Sequence, residues 1–185
     1  RVLFRSESDR IVQTIRAVRD WVDEVLVIDS GSEDGTQDLA TREGAKVVFN
    51  AWPGFGQQKR FGEMLCRNDW ILNLDADEVV SESLAQEIGN LFRAGEPQHA
   101  AYYLRVDDVY PGQKKPRMWA HDYLVVRLYD RRVVRFKDSA IHDSVDISGV
   151  KAGVLGKPVF HFSTRSFSDA LHKAIQRAGY NAAHA

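Results

Sequence analysis

The first half of the chain alternates short apolar runs with segments whose apolar residues recur at helical spacing. Val2-Leu3-Phe4 is the stub of a strand. Ser8 or Asp9 can cap a helix carrying Ile11, Ile15, Val18 and Val22 on one face. Val25-Leu26-Val27-Ile28 lacks polar alternation, as expected of a strand covered on both faces, and it ends in Asp29. Gly31 and Gly35 break the chain, and Thr36 to Arg42 then fits a helix stopped at Gly44. Lys46-Val47-Val48-Phe49 is the next strand, Trp52-Pro53-Gly54-Phe55-Gly56 a loop, and Gln57 to Cys66 a helix. Trp70-Ile71-Leu72-Asn73-Leu74 reads as another buried strand, ending in the acids Asp75, Asp77 and Glu78. Ser83 and Gln86 have capping-box spacing ahead of Leu84, Ile88, Leu91 and Phe92.

This alternation implies right-handed crossovers and a parallel sheet with helices on both faces. After residue 100 the pattern changes. Tyr102 to Val106, Tyr123 to Tyr129, Val133 to Phe136 and Val154 to Phe162 are strand-like, and Ser166 onward reads as helical. The expected fold is therefore α/β, with a mostly parallel Rossmann-like sheet in residues 1–97. Residues 98–185 form a mixed region closed by a helix. Glu96-Pro97 reads as a switch between subregions of one domain.

Composition narrows the function. The chain has 185 residues, with 25 Lys+Arg against 26 Asp+Glu and a formal net charge of -1. That balance gives no global electrostatic reason to bind nucleic acid. With 44% hydrophobic and 28% charged residues, the chain sits in the ordinary globular range. Cys66 stands alone, which excludes an internal disulfide and a thiolate metal cluster and fits a reducing compartment. No apolar run approaches the roughly 18 residues of a membrane span. Arg1-Val2-Leu3-Phe4 reads as an entry into mid-structure rather than a natural start, which leaves a preceding targeting segment open.

In open parallel sheets, ligands sit beyond the C-terminal ends of the strands. Two strands end there in carboxylates. After the first comes Asp29-Ser30-Gly31-Ser32-Glu33-Asp34-Gly35-Thr36, where glycines permit sharp turns and hydroxyls can bind polar edges. A plain turn with a helix cap at Ser32 or Asp34 is the alternative. After the second comes Asp75-Ala76-Asp77. Carboxylates two residues apart on extended backbone point the same way. Paired hard oxygens suit Mg²⁺ or Mn²⁺. A solvated turn is the alternative here.

Asp29 to Thr36, then Asn-Ala-Trp-Pro-Gly-Phe-Gly-Gln-Gln-Lys-Arg over residues 50 to 60, then Leu-Asp-Ala-Asp-Glu-Val over residues 74 to 79, together resemble the family 2 glycosyltransferases of the GT-A fold. The branch most resembled adds β-glucose to the inner core of bacterial lipopolysaccharide. The likeness covers nearly the whole chain, including Ile141-His142-Asp143-Ser144 and Phe160-His161-Phe162. It implies that Asp29 contacts the base or ribose of a nucleotide-sugar, with UDP-sugars favoured, and that Asp75 and Asp77 lie at the ribose and metal-diphosphate positions. Arg60 matches a basic residue near the nucleotide, and a guanidinium fork suits diphosphate oxygens. Glu7 stands at the family's Glu position, although Arg5-Ser6-Glu7 replaces the usual Lys-Asn-Glu. His161 matches a histidine near the metal or diphosphate, or else is a strand residue in the core.

Inverting sugar transfer needs a general base for the acceptor proton and an electrophile for the diphosphate. Asp143 is the candidate base, and His142 its competitor. The segment His142-Asp143-Ser144 stands where the family usually reads His-Glu-Ser. Trp52, Phe55, Trp119 and Tyr123 are candidates to stack on a sugar or base, with packing the default. Lys114-Lys115-Pro116-Arg117 is a basic run that is either solvated surface or a face for anionic lipid or a phosphorylated acceptor. The expected partners are a nucleotide-sugar donor and a glycan or glycolipid acceptor, with no nucleic acid. The expected setting is cytoplasmic, with peripheral contact at the inner membrane. Two rivals remain. A nucleotidyltransferase would want a Gly-rich, basic phosphate loop after the first strand, which residues 5–10 do not supply. A non-catalytic glycan- or partner-binding domain would not need Asp75, Asp77 and Asp143.

Overall fold

The computed structural model describes residues 8–141, 143–166 and 168, and the backbone of residues 2–4. Glu7, His142 and the expected C-terminal helix lie outside the described residues. In chain order the elements are β1 (Val2–Phe4), α1 (Ile11–Arg16), β2 (Leu26–Asp29), α2 (Thr36–Arg42), β3 (Lys46–Phe49), α3 (Phe55–Leu65), β4 (Trp70–Leu72), β5 (Glu78–Val80) and α4 (Glu82–Arg93). The second half adds β6 (Ala101–Asp108), β7 (Asp122–Asp130), β8 (Arg135–Phe136), β9 (Val145–Asp146) and β10 (Gly153–His161).

β1, β2 and β3 form a parallel sheet in that order, with Val27 opposite Val2 and Val47. The expected parallel run ends there. β4 pairs antiparallel with β7, placing Ile71 opposite Tyr129, in a five-stranded sheet of order β4-β7-β6-β10-β5. Within it only β6 and β10 run parallel. The sheet thus joins strands from both sides of residue 97. Ile11 and Ile15 of α1, Val27 of β2, Leu84 and Ile88 of α4 and Leu104 of β6 form the main core. Ile71, Ala101, Tyr129, Phe136 and Val145 form a second cluster.

The ladder between β6 and β7 slips once. Tyr102 pairs with Leu128, and the next pair is Tyr103 with Val126, so Arg127 faces no partner residue. That is a β-bulge, which re-aims a side chain. The carbonyl of Arg127 accepts instead from the Asn73 N–H at 2.7 Å, just past the end of β4. β10 slips in a similar way between Leu155 and Pro158. The freed N–H groups of Gly156 and Lys157 donate to the Glu87 carboxylate of α4 at 3.0 and 2.9 Å.

Two caps differ from expectation. α1 begins after Arg10 with no side-chain cap, because Ser8 and Asp9 are engaged elsewhere. The Ser8 N–H donates to Asp34, and the Asp9 carboxylate accepts from Arg165. α4 is capped by Ser81, whose hydroxyl accepts the Leu84 N–H at 3.2 Å, and not by Ser83 two residues later. Ser81 follows β5 directly and keeps extended backbone, the geometry an N-cap needs. Among the described residues, no helix is long and apolar enough to cross a membrane. Ser81→Ala should cost about 1 kcal/mol of stability, read as a lower urea midpoint. Ser83→Ala should shift that midpoint by much less, and equal losses would reassign the cap.

Candidate functional site

α3 fixes the site's floor. Its first N–H groups have no partner within the helix. The Phe55 and Gly56 N–H groups donate to the carbonyls of Ala140 and Ser139, at 3.1 and 2.9 Å. Those carbonyls belong to the 137–144 loop, which joins β8 to β9 and is closed by Lys137 N–H donating to Ser144 O at 3.0 Å. Gly54, at φ 130°, makes this approach possible. A Cβ there would stand 2.5 Å from Ala140 Cα. Glu63, buried on α3, accepts from Tyr129 Oη at 2.8 Å and from the Phe136 N–H at 3.0 Å, and so locks β8 onto the helix. The loop carrying Asp143 is therefore held at both ends of α3.

The buried face of α3 carries Lys59, only 1% exposed. Its ammonium donates to Asp75 Oδ1 at 2.5 Å and lies 3.9 Å from Asp143 Oδ1. The bulged Arg127 donates to Asp75 Oδ2 at 2.8 Å and to Glu78 Oε1 at 2.5 Å. Glu78 Oε2 accepts the Asp75 N–H at 3.0 Å. Two cations and the carboxylates of Asp75, Glu78 and Asp143 thus meet at one place. Desolvation works against an ionised Asp75, but the charges of Lys59 and Arg127 outweigh it and hold its pKa well below the usual range. Glu78 goes the other way. Burial raises its pKa, Asp75 adds to the rise, and Arg127 only partly offsets them.

The Asp-x-Asp segment is a turn, closed by Glu78 N–H donating to Asp75 O at 3.0 Å. Extended backbone would aim both carboxylates one way; the turn sends them to different partners. Asp77 Oδ2 meets Arg10 Nη1 at 3.3 Å and His161 Nε2 at 3.6 Å. His161 Nδ1 sits 2.9 Å from Asp108 Oδ1. That contact fits an Nδ1–H donor and leaves Nε2 facing Asp77. Burial disfavours the imidazolium, yet hydrogen bonding and charge from Asp77 leave the His161 pKa raised overall. A cavity of about 180 Å³ opens beside Asp77, lined also by Arg10, Gln13, Phe162 and Thr164.

As a divalent-metal site, this pair offers one carboxylate and one imidazole with a carboxylate behind it. Among the described residues, no trio of His, Cys, Asp or Glu forms a closed cage. An open two-ligand set fits a cation that completes its shell with water and substrate phosphate. The imidazole weighs toward Mn²⁺ over Mg²⁺, which prefers oxygen throughout.

The other candidates stand apart from this cluster. Asp29 is buried, and its carboxylate accepts from the Gly31 and Ser32 N–H groups at 2.8 and 2.9 Å, Ser32 Oγ at 2.5 Å and Gln37 Nε2 at 2.7 Å. It organises the loop after β2. Asp34 does similar work at the start of α2. Burial opposes its charge, but hydrogen bonds from Thr36 and Ser8 bring its pKa down to about 2. Arg60 Nη1 donates to Phe136 O at 2.9 Å. Trp52 and Phe55 pack edge to face at 5.0 Å, half-exposed beside Gly54. Tyr123 stands edge-on to His161 at 6.5 Å, and Trp119 is fully out in solvent.

Sequence reasoning missed Lys59, Arg127 and the roles of Glu78, Glu63 and Asp108. One signal was available for Arg127: a lone charge inside the apolar run Leu124-Val125-Val126-Arg127-Leu128. Another was available for Lys59, because Gly56, Lys59 and Glu63 fall on one helical stripe.

The chain belongs to glycosyl transferase family 2, whose model matches residues 2–155. An uncharacterized glycosyltransferase of Rickettsia conorii is 37% identical over 183 residues, which cover 94% of this chain and 64% of that protein. The chain therefore spans a little under two-thirds of that relative's length. The lipopolysaccharide core biosynthesis glycosyltransferase LpsC of Rhizobium meliloti is 31% identical over 78 residues, 40% of this chain and 29% of that protein. The crystal structure of S. aureus TarS 1-349 matches 88% of this chain and 59% of its own, with a TM-score of 0.65 at 13% identity. That likeness concerns the fold alone, an α/β GT-A architecture.

The depressed pKa of Asp75 contributes stability that is present above about pH 4 and lost as pH falls toward the folded value. The raised pKa of Glu78 contributes in the opposite sense, a cost at neutral pH relieved by acid. Arg127→Met should therefore destabilise by about 3–5 kcal/mol at neutral pH. The cost should shrink near pH 4.5, where the unpaired carboxyls take up protons. Urea unfolding at both pH values tests this, and an equal cost at each would remove Arg127 as their counter-ion.

Proposed function

We propose that the chain catalyses inverting transfer of a sugar, glucose foremost, from a nucleotide-sugar, UDP-linked by preference, to a glycan or glycolipid such as lipopolysaccharide core. The observation that carries this reading is the meeting of Asp143 with Lys59 and Asp75, on three elements that the fold pins together. In such a transfer the acceptor oxygen forms the new bond to the anomeric carbon, the nucleoside diphosphate leaves, and the acceptor proton goes to a base. Asp143 is that base. Its loop is fixed to α3 by backbone hydrogen bonds, so the carboxylate arrives at a set position. Asp75 and Asp77 split their duties. Asp75, held ionised between two cations, faces the donor, while Asp77 and His161 would hold a divalent cation. That cation, when bound, offsets charge on the leaving diphosphate.

Asp29 acts on the donor through the loop it organises. Glu7 and Arg60 complete the nucleotide side of the site. Residues 1–97 serve the donor and residues 98–185 the acceptor. The cytoplasm, where nucleotide-sugars are available, is the setting this reading requires. The partial likeness to LpsC supports a lipopolysaccharide-type acceptor.

Two measurements test the reading. A ligand that binds only the folded state raises its melting point, by an increment worth about 2.7 kcal/mol at a hundredfold excess over Kd. UDP should raise the melting point more with Mn²⁺ than without, and Asp77→Ala should abolish the metal-dependent part. A full Mn²⁺ effect in the variant removes Asp77 from the metal. Separately, Asp143→Asn keeps the side chain's size but cannot take the proton, so turnover should fall roughly 10²-fold or more with UDP binding intact. Asp143→Glu should retain more activity than Asp143→Asn. Parent-rate transfer by Asp143→Asn with a dead His142→Ala assigns the proton to the imidazole instead.

A further inference from the structure

The loop between β6 and β7 has the least ordinary surface among the described residues. Met118 and Trp119 are 89% and 88% exposed, beyond any other large apolar side chain described. Full exposure of a Trp beside a Met forgoes burial that most folds would use, and it marks a contact surface when charge accompanies it. Here charge does. Lys114, Lys115 and Arg117 are exposed on the same loop, and residues 109–121 contain no acid. None of these cations has an ion-pair partner among the described residues. The acids at the loop's base are mostly engaged: Asp107 pairs with Arg105, and Asp108 with His161 and His121, while Asp122 is exposed.

The loop is also anchored. The Gln113 N–H donates to Tyr110 O and the Ala120 N–H to Arg117 O, both at 3.0 Å, forming a turn on each side of the basic run. At the base, the Asp108 N–H donates to His121 O at 3.0 Å, and the Val109 N–H to His161 O at 2.8 Å. The tip therefore projects from the rim of the site that holds His161 and Asp77.

We propose that this loop docks the protein on an anionic lipid bilayer. Trp119 and Met118 enter the interface, where an indole settles at headgroup depth. Lys114, Lys115 and Arg117 pair with lipid phosphates. A local cluster with no acid suits that surface even though the whole chain is near neutral, because attraction to a charged membrane acts within a Debye length. Docking in this way would bring the Asp77–His161 side of the site to the headgroup layer. The inference stands on the loop and does not depend on the reaction proposed above.

The test is flotation of the 185-residue chain with vesicles of phosphatidylcholine alone, and with about a third phosphatidylglycerol. The expected result is partition onto the anionic vesicles that weakens with salt. It should fall about fivefold for each charge removed by Lys114→Gln, Lys115→Gln and Arg117→Gln. The double variant Met118→Ser, Trp119→Ser should lose at least tenfold with an unchanged melting temperature. It should also lose the blue shift of tryptophan emission on vesicle addition. Failure to bind, equal binding to both vesicle types, or unchanged partition of the variants overturns the proposal. So does a variant that partitions normally but has a raised KM for a water-soluble saccharide acceptor, which makes the loop a glycan contact. An emission shift on mixing the chain with itself, in step with dimerisation and without lipid, makes it a protein contact instead.

Discussion

The guanidinium of Arg127, shared between Asp75 at 2.8 Å and Glu78 at 2.5 Å, is the contact on which the site's geometry turns. It exists because β7 carries one residue more than β6 at that point. Regular alternation would set Arg127 into the ladder and aim its side chain by the pleat. The bulge frees it to reach across to a turn in the other half of the chain. Its carbonyl meanwhile takes the Asn73 N–H, which fixes the segment entering that turn. One irregular residue thus sets both the backbone and the charge of the Asp75–Glu78 turn. A buried guanidinium is costly unless paired, and two carboxylates so close repel unless a cation separates them. Each requirement answers the other.

The second constraint is steric. Gly54 lets the 137–144 loop lie against the start of α3, and the helix's otherwise unpaired N–H groups supply the attachment. Glu63, two turns further along α3, anchors Phe136 and Tyr129. A helix in the first half therefore serves as the template for a hairpin in the second. The same helix presents Lys59 between Asp75 and Asp143. The site is where three sequence-distant pieces are held by one helix face.

The elements legible in the sequence were those with local punctuation. α2 and β3 fall where glycines and an unbroken apolar run place them, and Gly44 follows α2 as a helix stop should. The Asp-x-Asp turn was legible as a location but not as a geometry, because whether two carboxylates converge depends on backbone dihedrals that the residue types do not dictate. β4's antiparallel pairing was not legible, since an apolar run has no direction. Lys59 and Arg60 illustrate the limit most sharply. They are neighbours of the same charge class in the same motif, yet the roughly 100° step of a helix sends one to Asp75 and the other to Phe136 O. The spacing from Gly56 and Glu63 held the answer, but only if the buried partner on the far side was already known.

Asp75 and Asp77 show what the separation achieves. Two residues apart, they occupy two electrical environments. Asp75 lies between Lys59 and Arg127, where its negative charge is already balanced by fixed cations. Asp77 faces one arginine and an imidazole backed by Asp108, so its surroundings gain or lose a proton as His161 titrates. A fixed charge orients; an adjustable one can trade a proton for another cation. Had the segment stayed extended, both carboxylates would have shared one set of partners, and the repulsion between them would have raised the pKa of at least one. The turn at Asp75–Glu78 and the bulge at Arg127 prevent that, and so keep the two acids on separate sets of partners.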